Sequence, residues 1–268
     1  MSKDKNISII LPVLNESENL KYLIPEFINL LENDLQVIYE IIIVDDGSID
    51  GTQSTVYNFR KENKNIRLIE RNSVKSLPLS IFEGIENSKF NSVMWLDADG
   101  SMDVESSKKI IQTYFSENCN AVVGSRFVDG GGYKGKTKEG FSFKIFGNLF
   151  KSEDSLIAVF LSNILNRVLS KLLSVPISDL TSGFIIIQKK YLNYDMFKGF
   201  NYGEYFINMI IELIKKDTKI IEVGYVCKPR KYGKSKTSTN FIKLAKLSIP
   251  YLFLAIKSRK ILYENNWR

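Results

Sequence analysis

The 268-residue chain contains no histidine. That absence removes the commonest general base and the usual zinc ligand, and it excludes a Ser-His-Asp triad outright. Cysteine is nearly as scarce. Cys119 and Cys227 have no metal-ligand spacing and are too few for a disulfide framework, which points to a reducing compartment. Long hydrophobic runs are missing as well. The longest candidate near the C-terminus, Ser248 to Ile256, carries Pro250 and is half of the roughly 18 residues that a spanning helix requires. Met1 to Asn6 leads directly into a strand signal, so neither a signal peptide nor a membrane-spanning helix is expected. No internal repeat or low-complexity linker is visible. With 44% hydrophobic and 25% charged residues the chain reads as globular, of a length that suits one large domain or a domain with extensions.

Acids are missing from one region in particular. From Lys228 to Arg268 eleven Lys or Arg residues face a single acid, Glu264, for a net +10; the remainder carries 26 basic and 29 acidic side chains, a net −3. A near-neutral body with a basic tail implies a polyanionic partner (a membrane surface, nucleic acid or a phosphorylated substrate) unless the charge is only a solvated face. Between Phe241 and Leu262 the tail sets Leu244, Leu247, Tyr251, Leu252, Leu254 and Ala255 beside Lys243, Lys246, Lys257, Arg259 and Lys260. A basic amphipathic segment of this kind fits an anionic leaflet. Nucleic acid is disfavoured, because no recognised module accompanies the charge.

The most informative stretch is Val93-Met94-Trp95-Leu96-Asp97-Ala98-Asp99, an apolar run ending in two carboxylates one residue apart. Buried strands of α/β sheets read as continuous apolar runs, and ligands gather where such strands end. A D-x-D pair at that place suits a hard divalent cation that also holds substrate phosphates. The same design occurs earlier, where Glu40 to Val44 ends in Asp45-Asp46-Gly47-Ser48. Further strands are expected at Ile7–Leu14, Ile66–Ile69, Ser92–Leu96, Ala121–Val123, Gly183–Ile187 and Ile220–Val226. Helices are expected at Glu18–Glu32, Gln53–Glu62, Leu79–Asn87, Val104–Phe115 and Tyr205–Lys215. The alternation predicts an α/β fold with a mostly parallel sheet covered on both faces. Asp50 and Asp103 are candidate N-caps of the second and fourth helices.

The middle of the chain changes character. Phe127 to Tyr133 reads as a glycine-rich flexible loop, and Lys134 to Glu139 is polar and charged. Apolar doublets then recur every four residues from Leu156/Ile157 to Leu172/Leu173, with Asn163, Asn166, Arg167 and Lys171 expected on the opposite side. Asp154 or Ser155 is placed to cap this helix and Pro176 to close it. Two readings stay open: a helix packed on its own sheet, or one lying in a bilayer surface. Glu204 is either a surface acid or a site acid.

Six segments fall into a known order. Leu11-Pro12-Val13-Leu14-Asn15-Glu16, Val44-Asp45-Asp46-Gly47-Ser48-Ile49-Asp50-Gly51-Thr52, Leu96-Asp97-Ala98-Asp99-Gly100, Gly124-Ser125-Arg126-Phe127, Asp179-Leu180-Thr181-Ser182-Gly183-Phe184 and Arg230-Lys231-Tyr232-Gly233-Lys234-Ser235-Lys236 resemble motifs of the family-2 glycosyltransferases, in the dolichol-phosphate mannose synthase and polyprenyl-phosphate glycosyltransferase branch. The resemblance implies a GT-A, Rossmann-like fold with amphipathic membrane-associated helices. The domain would occupy residues 1–238, including an amphipathic segment at 141–175, followed by a basic tail at 239–268. The implied activity is metal-dependent, inverting transfer of a sugar from a nucleotide-sugar to a polyprenyl or dolichyl phosphate. It would take place peripherally, on the cytoplasmic face of a membrane, with a separate anchoring protein as an open question.

The same resemblance assigns residues. Pro12, Asn15, Glu16, Asp45, Asp46, Ser48 and Ala98 would bind the nucleotide-sugar. Asp97 and Asp99 would hold Mg2+ or Mn2+ and, with Arg126, form the catalytic set. Arg126, Ser182, Arg230, Lys234 and Lys236 would meet phosphate groups. Three positions depart from the pattern of this branch: Ile185 stands where Arg is usual, Ser101 where Gln is common, and Asn208 where a Glu is usual. The turn at Ser76-Leu77-Pro78 replaces a glycine-rich one.

The missing histidine bears on the acceptor. A hydroxyl acceptor needs a general base, worth about 10²–10⁴-fold. A phosphate monoester is already anionic at neutral pH, with a second pKa of about 6. A phosphate nucleophile attacking the anomeric carbon in a single displacement is therefore the expectation. A carboxylate-assisted hydroxyl acceptor and a catalytically silent nucleotide-sugar-binding module are the alternatives.

Overall fold

The computed structural model describes residues 4–133, 156–232 and 241–264. The apolar runs form β1 (Asn6–Val13), β2 (Ile38–Asp45), β3 (Ile66–Glu70), β4 (Ser92–Trp95) and β5 (Ala121–Ser125). Within β1, Ile7, Ile9 and Leu11 join one core cluster and Ile10 the other; within β2, Ile41 and Ile43 part from Ile42 and Val44 in the same way. A two-residue period thus sends apolar side chains to both faces, which is why these strands show no polar alternation. One face is covered by α1 (Ser17–Asn29), α2 (Thr52–Glu62) and α4 (Val104–Ser116), through Leu20, Leu23, Phe27, Val56, Ile110 and Tyr114. The other is covered by α3 (Leu77–Glu86), α5 (Leu156–Leu173), α6 (Glu204–Lys215) and α7 (Phe241–Glu264), through Ile81, Ile85, Leu169, Phe206, Ile210 and Ala255. Among the described residues no helix is long and apolar enough to cross a membrane.

The sheet runs β3-β2-β1-β4-β7-β5-β8, with β7 (Ile185–Gln188) antiparallel to both of its neighbours and every other pair parallel; β8 spans Ile220–Gly224. The chain steps from β1 to β2 to β3 in one direction and then returns to lay β4 on the other side of β1. Such a reversal opens a crevice outside the carboxyl ends of the strands. The register sets Val13 beside Asp45 and Ile10 beside Trp95, so the segments that follow β1, β2 and β4 emerge at one edge.

Several expectations change in detail. The first helix starts at Ser17, and its last turn, Leu30–Asp34, widens into a π-helix. α3 starts two residues earlier than expected. Pro78 lies in its first turn, where a missing N–H is tolerated, and the Ser76 hydroxyl caps it by accepting from Leu79 N–H at 3.4 Å. Asp103 caps α4 as expected, accepting from Ser106 N–H at 2.8 Å. Asp50 does not take the cap position of α2, which falls to Gly51. Its carboxylate accepts from Thr52 N–H and reaches across to Ser17 N–H, each at 3.0 Å, tying α2 to the first turn of α1. The strand expected at Ile220–Val226 splits around Tyr225. Val226–Cys227, β9, pairs instead with β6 (Gly132–Tyr133), inside the segment read as a flexible loop. The caps at Asp154 or Ser155, the polar segment Lys134–Glu139 and the boundary at 238 lie outside the described residues.

α5 carries the clearest correction. Leu165, Leu169, Leu172 and Leu173 pack inward, and Asn166 goes with them at 2% exposure, while Ile164 and Val168 face outward. Asn166 was expected on the polar side. It is drawn in because it donates to Thr181 Oγ1 at 2.7 Å and accepts from the buried Leu180 N–H at 2.9 Å. A buried backbone donor left without a partner would cost about 1–3 kcal/mol, which outweighs placing one amide in an apolar face.

Candidate functional site

A cavity of about 200 Å³ opens at the carboxyl edge where β1, β2 and β4 end. Pro12, Glu16, Asp46, Asp97, Ala98, Asp99 and Arg230 line it, together with Leu14, Lys75, Ser76, Ser80, Asn201 and Tyr202. On the β1–β2 side the carboxylates are held by hydrogen bonds. Asp46 accepts from Ser76 N–H at 2.7 Å and is paired with buried Arg71, whose remaining donors reach Glu83 at 2.9 Å, Ser80 at 3.0 Å and Ser73 at 2.8 Å. Asp45 turns away from the cavity into its own loop, accepting from Ser48 N–H, the Ser48 hydroxyl and Gln53 Nε2. Asn15, with a left-handed φ of 58°, accepts from Ile49 N–H at 2.8 Å, and its own N–H donates to Ser48 Oγ at 2.8 Å. Asn15, Asp45 and Ser48 thus lock the two loops together behind the wall that Pro12, Glu16 and Asp46 present.

Asp97 and Asp99 stand at the end of β4. Asp99 is almost buried and accepts from Ser101 N–H at 2.9 Å. Asp97 keeps part of its surface open, yet loss of water, reinforced by the neighbouring Asp99 charge, pushes its carboxyl well above the usual range, against the pull of Arg230 and Arg126. Gly100 completes the turn at φ +79°, and a Cβ there would meet the Tyr22 hydroxyl at 1.9 Å, so a side chain would both strain the backbone and displace Tyr22. Arg230 sets its guanidinium 3.0 Å from Asp99. Burial opposes the Arg230 charge, but Asp99 and then Asp97 outweigh it and raise its pKa.

The opposite loops are joined by ion pairs. Arg126 donates twice to Asp179, at 2.8 and 2.7 Å, and once to Thr181 Oγ1 at 2.8 Å, and it does not line the cavity. Ser182, also off the cavity, donates its hydroxyl to Gly124 O and stitches the turn before β7 to the end of β5. Glu204 is a buried acid whose carboxylate accepts from Asn201 N–H at 2.9 Å and Tyr202 N–H at 3.2 Å, folding the loop that brings Tyr202 to the cavity. Lys234 and Lys236 lie outside the described residues. Ile185 is a core residue of β7 paired with Trp95 and Val123, and Asn208 donates to Met196 O at 3.4 Å. No sequence pattern marks Arg71, Lys75 or Tyr202, which reach the site through loop closure alone; Asp179 stands within the D-x-T-S-G-F motif.

Among the described residues no group of three or more acids or cysteines is set to hold a metal. The pair Asp97 and Asp99 is a hard oxygen donor set that leaves further positions to water and phosphate, the habit of Mg2+ and Mn2+. The guanidinium resting on Asp99 shows that this spot already draws a cation.

The model for glycosyl transferase family 2 matches residues 8–194. Over 128 residues the chain is 32% identical to the dolichyl-phosphate beta-glucosyltransferase of Trichomonas vaginalis, covering 45% of this chain and 40% of that protein. Over 233 residues it is 26% identical to the dolichol-phosphate mannosyltransferase of Pyrococcus furiosus, covering 86% of this chain and 58% of that protein. The chain therefore spans 40% and 58% of the lengths of these two relatives. The glucosyl-3-phosphoglycerate synthase of Mycobacterium tuberculosis, solved with Mn2+, uridine diphosphate and phosphoglyceric acid, matches with a TM-score of 0.60 over 95% of this chain and 78% of that chain. At 15% identity that likeness is one of fold, and it agrees with the mixed, mostly parallel GT-A sheet that the motifs implied. Since the family model matches from β1 past β7, over more than half of the sequence, the protein belongs to glycosyl transferase family 2.

Proposed function

We propose that the protein transfers a sugar from a nucleotide-sugar to the phosphate of a polyprenyl or dolichyl lipid at a membrane surface. The observation that carries this reading is the placement of Asp97 and Asp99 at the end of β4, across one cavity from Glu16 and Asp46. In this reading Asp46, stiffened by Arg71 and Ser76, shapes the nucleoside end, and Asp97 and Asp99 hold a divalent cation. Bound there, such a cation would supply Lewis-acid charge to the leaving diphosphate. The bond between the anomeric carbon and the donor phosphate oxygen breaks as an acceptor phosphate oxygen attacks from the opposite face, and the electron pair leaves with the nucleoside diphosphate. Configuration inverts, and no covalent enzyme intermediate forms.

The acceptor assignment draws support from the acids near the site. Asp179 is committed to Arg126 and Glu204 to a backbone turn, and the chain has no histidine to act in their place. An acceptor that is already anionic avoids the need for a base. The names of the two curated relatives point the same way. For the membrane surface the support is α7. Ile249, Phe253 and Ile256 are 61–70% exposed along one side of it, Lys257 and Arg259 are exposed nearby, and α5 adds exposed Ile164 and Val168.

The test is nucleoside diphosphate release across a panel of nucleotide-sugars, with Mn2+ or Mg2+, with and without a short polyprenyl phosphate, and with EDTA as control. Release that needs both metal and lipid phosphate, accompanied by a new glycolipid, is the expected result. Release that ignores lipid phosphate but answers to a hydroxyl acceptor would replace the acceptor assignment. No release under any condition would favour a silent binding module.

A further inference from the structure

The segment that follows β9 crosses the end of β4 as a strap. Lys228 N–H donates to Ser101 O at 2.9 Å, and the Lys228 ammonium pairs with Asp103. At the far end, Asn19 Nδ2 donates to Tyr232 O at 3.3 Å, and the Lys231 ammonium sits 3.7 Å from the centre of the Tyr22 ring. The strap is therefore tethered on both sides of Arg230. Between those tethers the 24%-exposed Arg230 side chain reaches the 5%-exposed Asp99 carboxylate while also lining the cavity. Beneath the strap two buried polar atoms, Asn19 Oδ1 and the Tyr22 hydroxyl, have no hydrogen-bond partner.

We propose that Arg230 is a built-in stand-in for the divalent cation, so that metal and nucleoside diphosphate bind cooperatively through it. The inference rests on the metal reading given above. A nearly buried carboxylate beside a second carboxylate requires a counter-charge, and in the arrangement observed Arg230 provides it. A divalent cation and a guanidinium cannot share Asp99 without repulsion, so metal alone must first dislodge Arg230 and leave that charge unpaired in the cavity. A diphosphate accepts the displaced guanidinium, for which Arg is well suited. Because the strap is tethered on both sides, the transfer needs rotation of one side chain and no movement of the backbone. Each ligand then tightens the other by the same factor, as linkage requires.

Calorimetric titration with Mn2+ alone, and then with UDP or GDP present in separate runs, measures this coupling. The wild-type protein is expected to bind Mn2+ weakly alone and about 10-fold or more tightly with the matching diphosphate, within the usual range of coupling between sites. Arg230→Gln is expected to bind Mn2+ alone several-fold more tightly and to lose most of that enhancement, whereas Arg230→Lys keeps the wild-type pattern. Equal or weaker Mn2+ binding by Arg230→Gln, with the enhancement intact, would overturn the inference alone. No Mn2+ binding by either protein, with or without diphosphate, would overturn the metal reading and the inference with it.

Discussion

The two walls of the cavity are built by different means. On the β1–β2 side Asp45, Asp46 and Asp50 are each held by hydrogen bonds from more than one residue: Asp45 by Ser48 and Gln53, Asp46 by Ser76 and Arg71, Asp50 by Thr52 and Ser17. On the other side, loops from distant parts of the chain are joined through ion pairs, Arg126 with Asp179, Arg230 with Asp99 and Lys228 with Asp103. The helices behind that second wall, α5 and α7, leave apolar residues exposed, whereas α3 behind the first packs tightly on the sheet. The contrast is between a wall backed by a tightly packed helix and a wall backed by helices with exposed apolar residues, and regions with fewer buried contacts are the ones that open most readily.

Replacing Asp179 with Ala should break the second wall most severely. It strands the largely buried Arg126 guanidinium, 12% exposed, a loss of about 3 kcal/mol, visible as a lower denaturant midpoint. Asp97→Asn should act in the opposite direction. The raised pKa means that burying the ionised carboxyl opposes folding, an effect absent below pH about 4 and fully present above about 7. Without metal, the variant should therefore melt higher than wild type at pH 8, by about 2–4 °C for each kcal/mol relieved. The gain should fade as pH falls towards 4, and a gain independent of pH would contradict the account. Gly84→Ala probes the first wall. A Cβ there falls 2.5 Å from Ile10 Cγ2 and 3.1 Å from Val44 Cγ2, both stiff branches, so a loss of about 1–3 kcal/mol is expected in thermal unfolding. The smallest effect on stability belongs to Phe253→Asn. At 70% exposure the change should stay within about 0.5 kcal/mol, yet binding to anionic vesicles in a sedimentation assay should weaken measurably.

The same contrast decides what could be read from the sequence. β1, β2 and β4 are legible because strands buried on both faces are unbroken apolar runs, and Asp97 and Asp99 because they follow directly on such a run. The motif order carried the family. What stayed hidden depends on partners far away along the chain. Arg71 is 25 residues from Asp46, and its importance appears only when α3 docks. Asn166 looked like a surface polar residue because a helical period records apolar spacing and says nothing of a loop N–H waiting 14 residues further on. Pro78 reads as part of the turn before the helix, because a proline in the first turn and a proline just before a helix have the same local signature. Tyr225 split a strand that composition alone would have run straight through, since the bend answers to pairing with Gly132–Tyr133.

The antiparallel strand in an otherwise parallel sheet has a consequence of another kind. β5 ends at Ser125, β7 begins at Ile185, and Gly124 N–H donates to Phe184 O at 2.9 Å, so the chain departs and returns at almost one point. The described residues between them are built into the fold at further points: Gly132–Tyr133 pairs with Val226–Cys227, and Leu169 and Leu173 of α5 pack in the core. Each span between two such anchors is closed separately, and the free energy of closing a loop rises by only about 0.6 kcal/mol per doubling of its length, so a change of length between anchors should leave the register of the sheet intact.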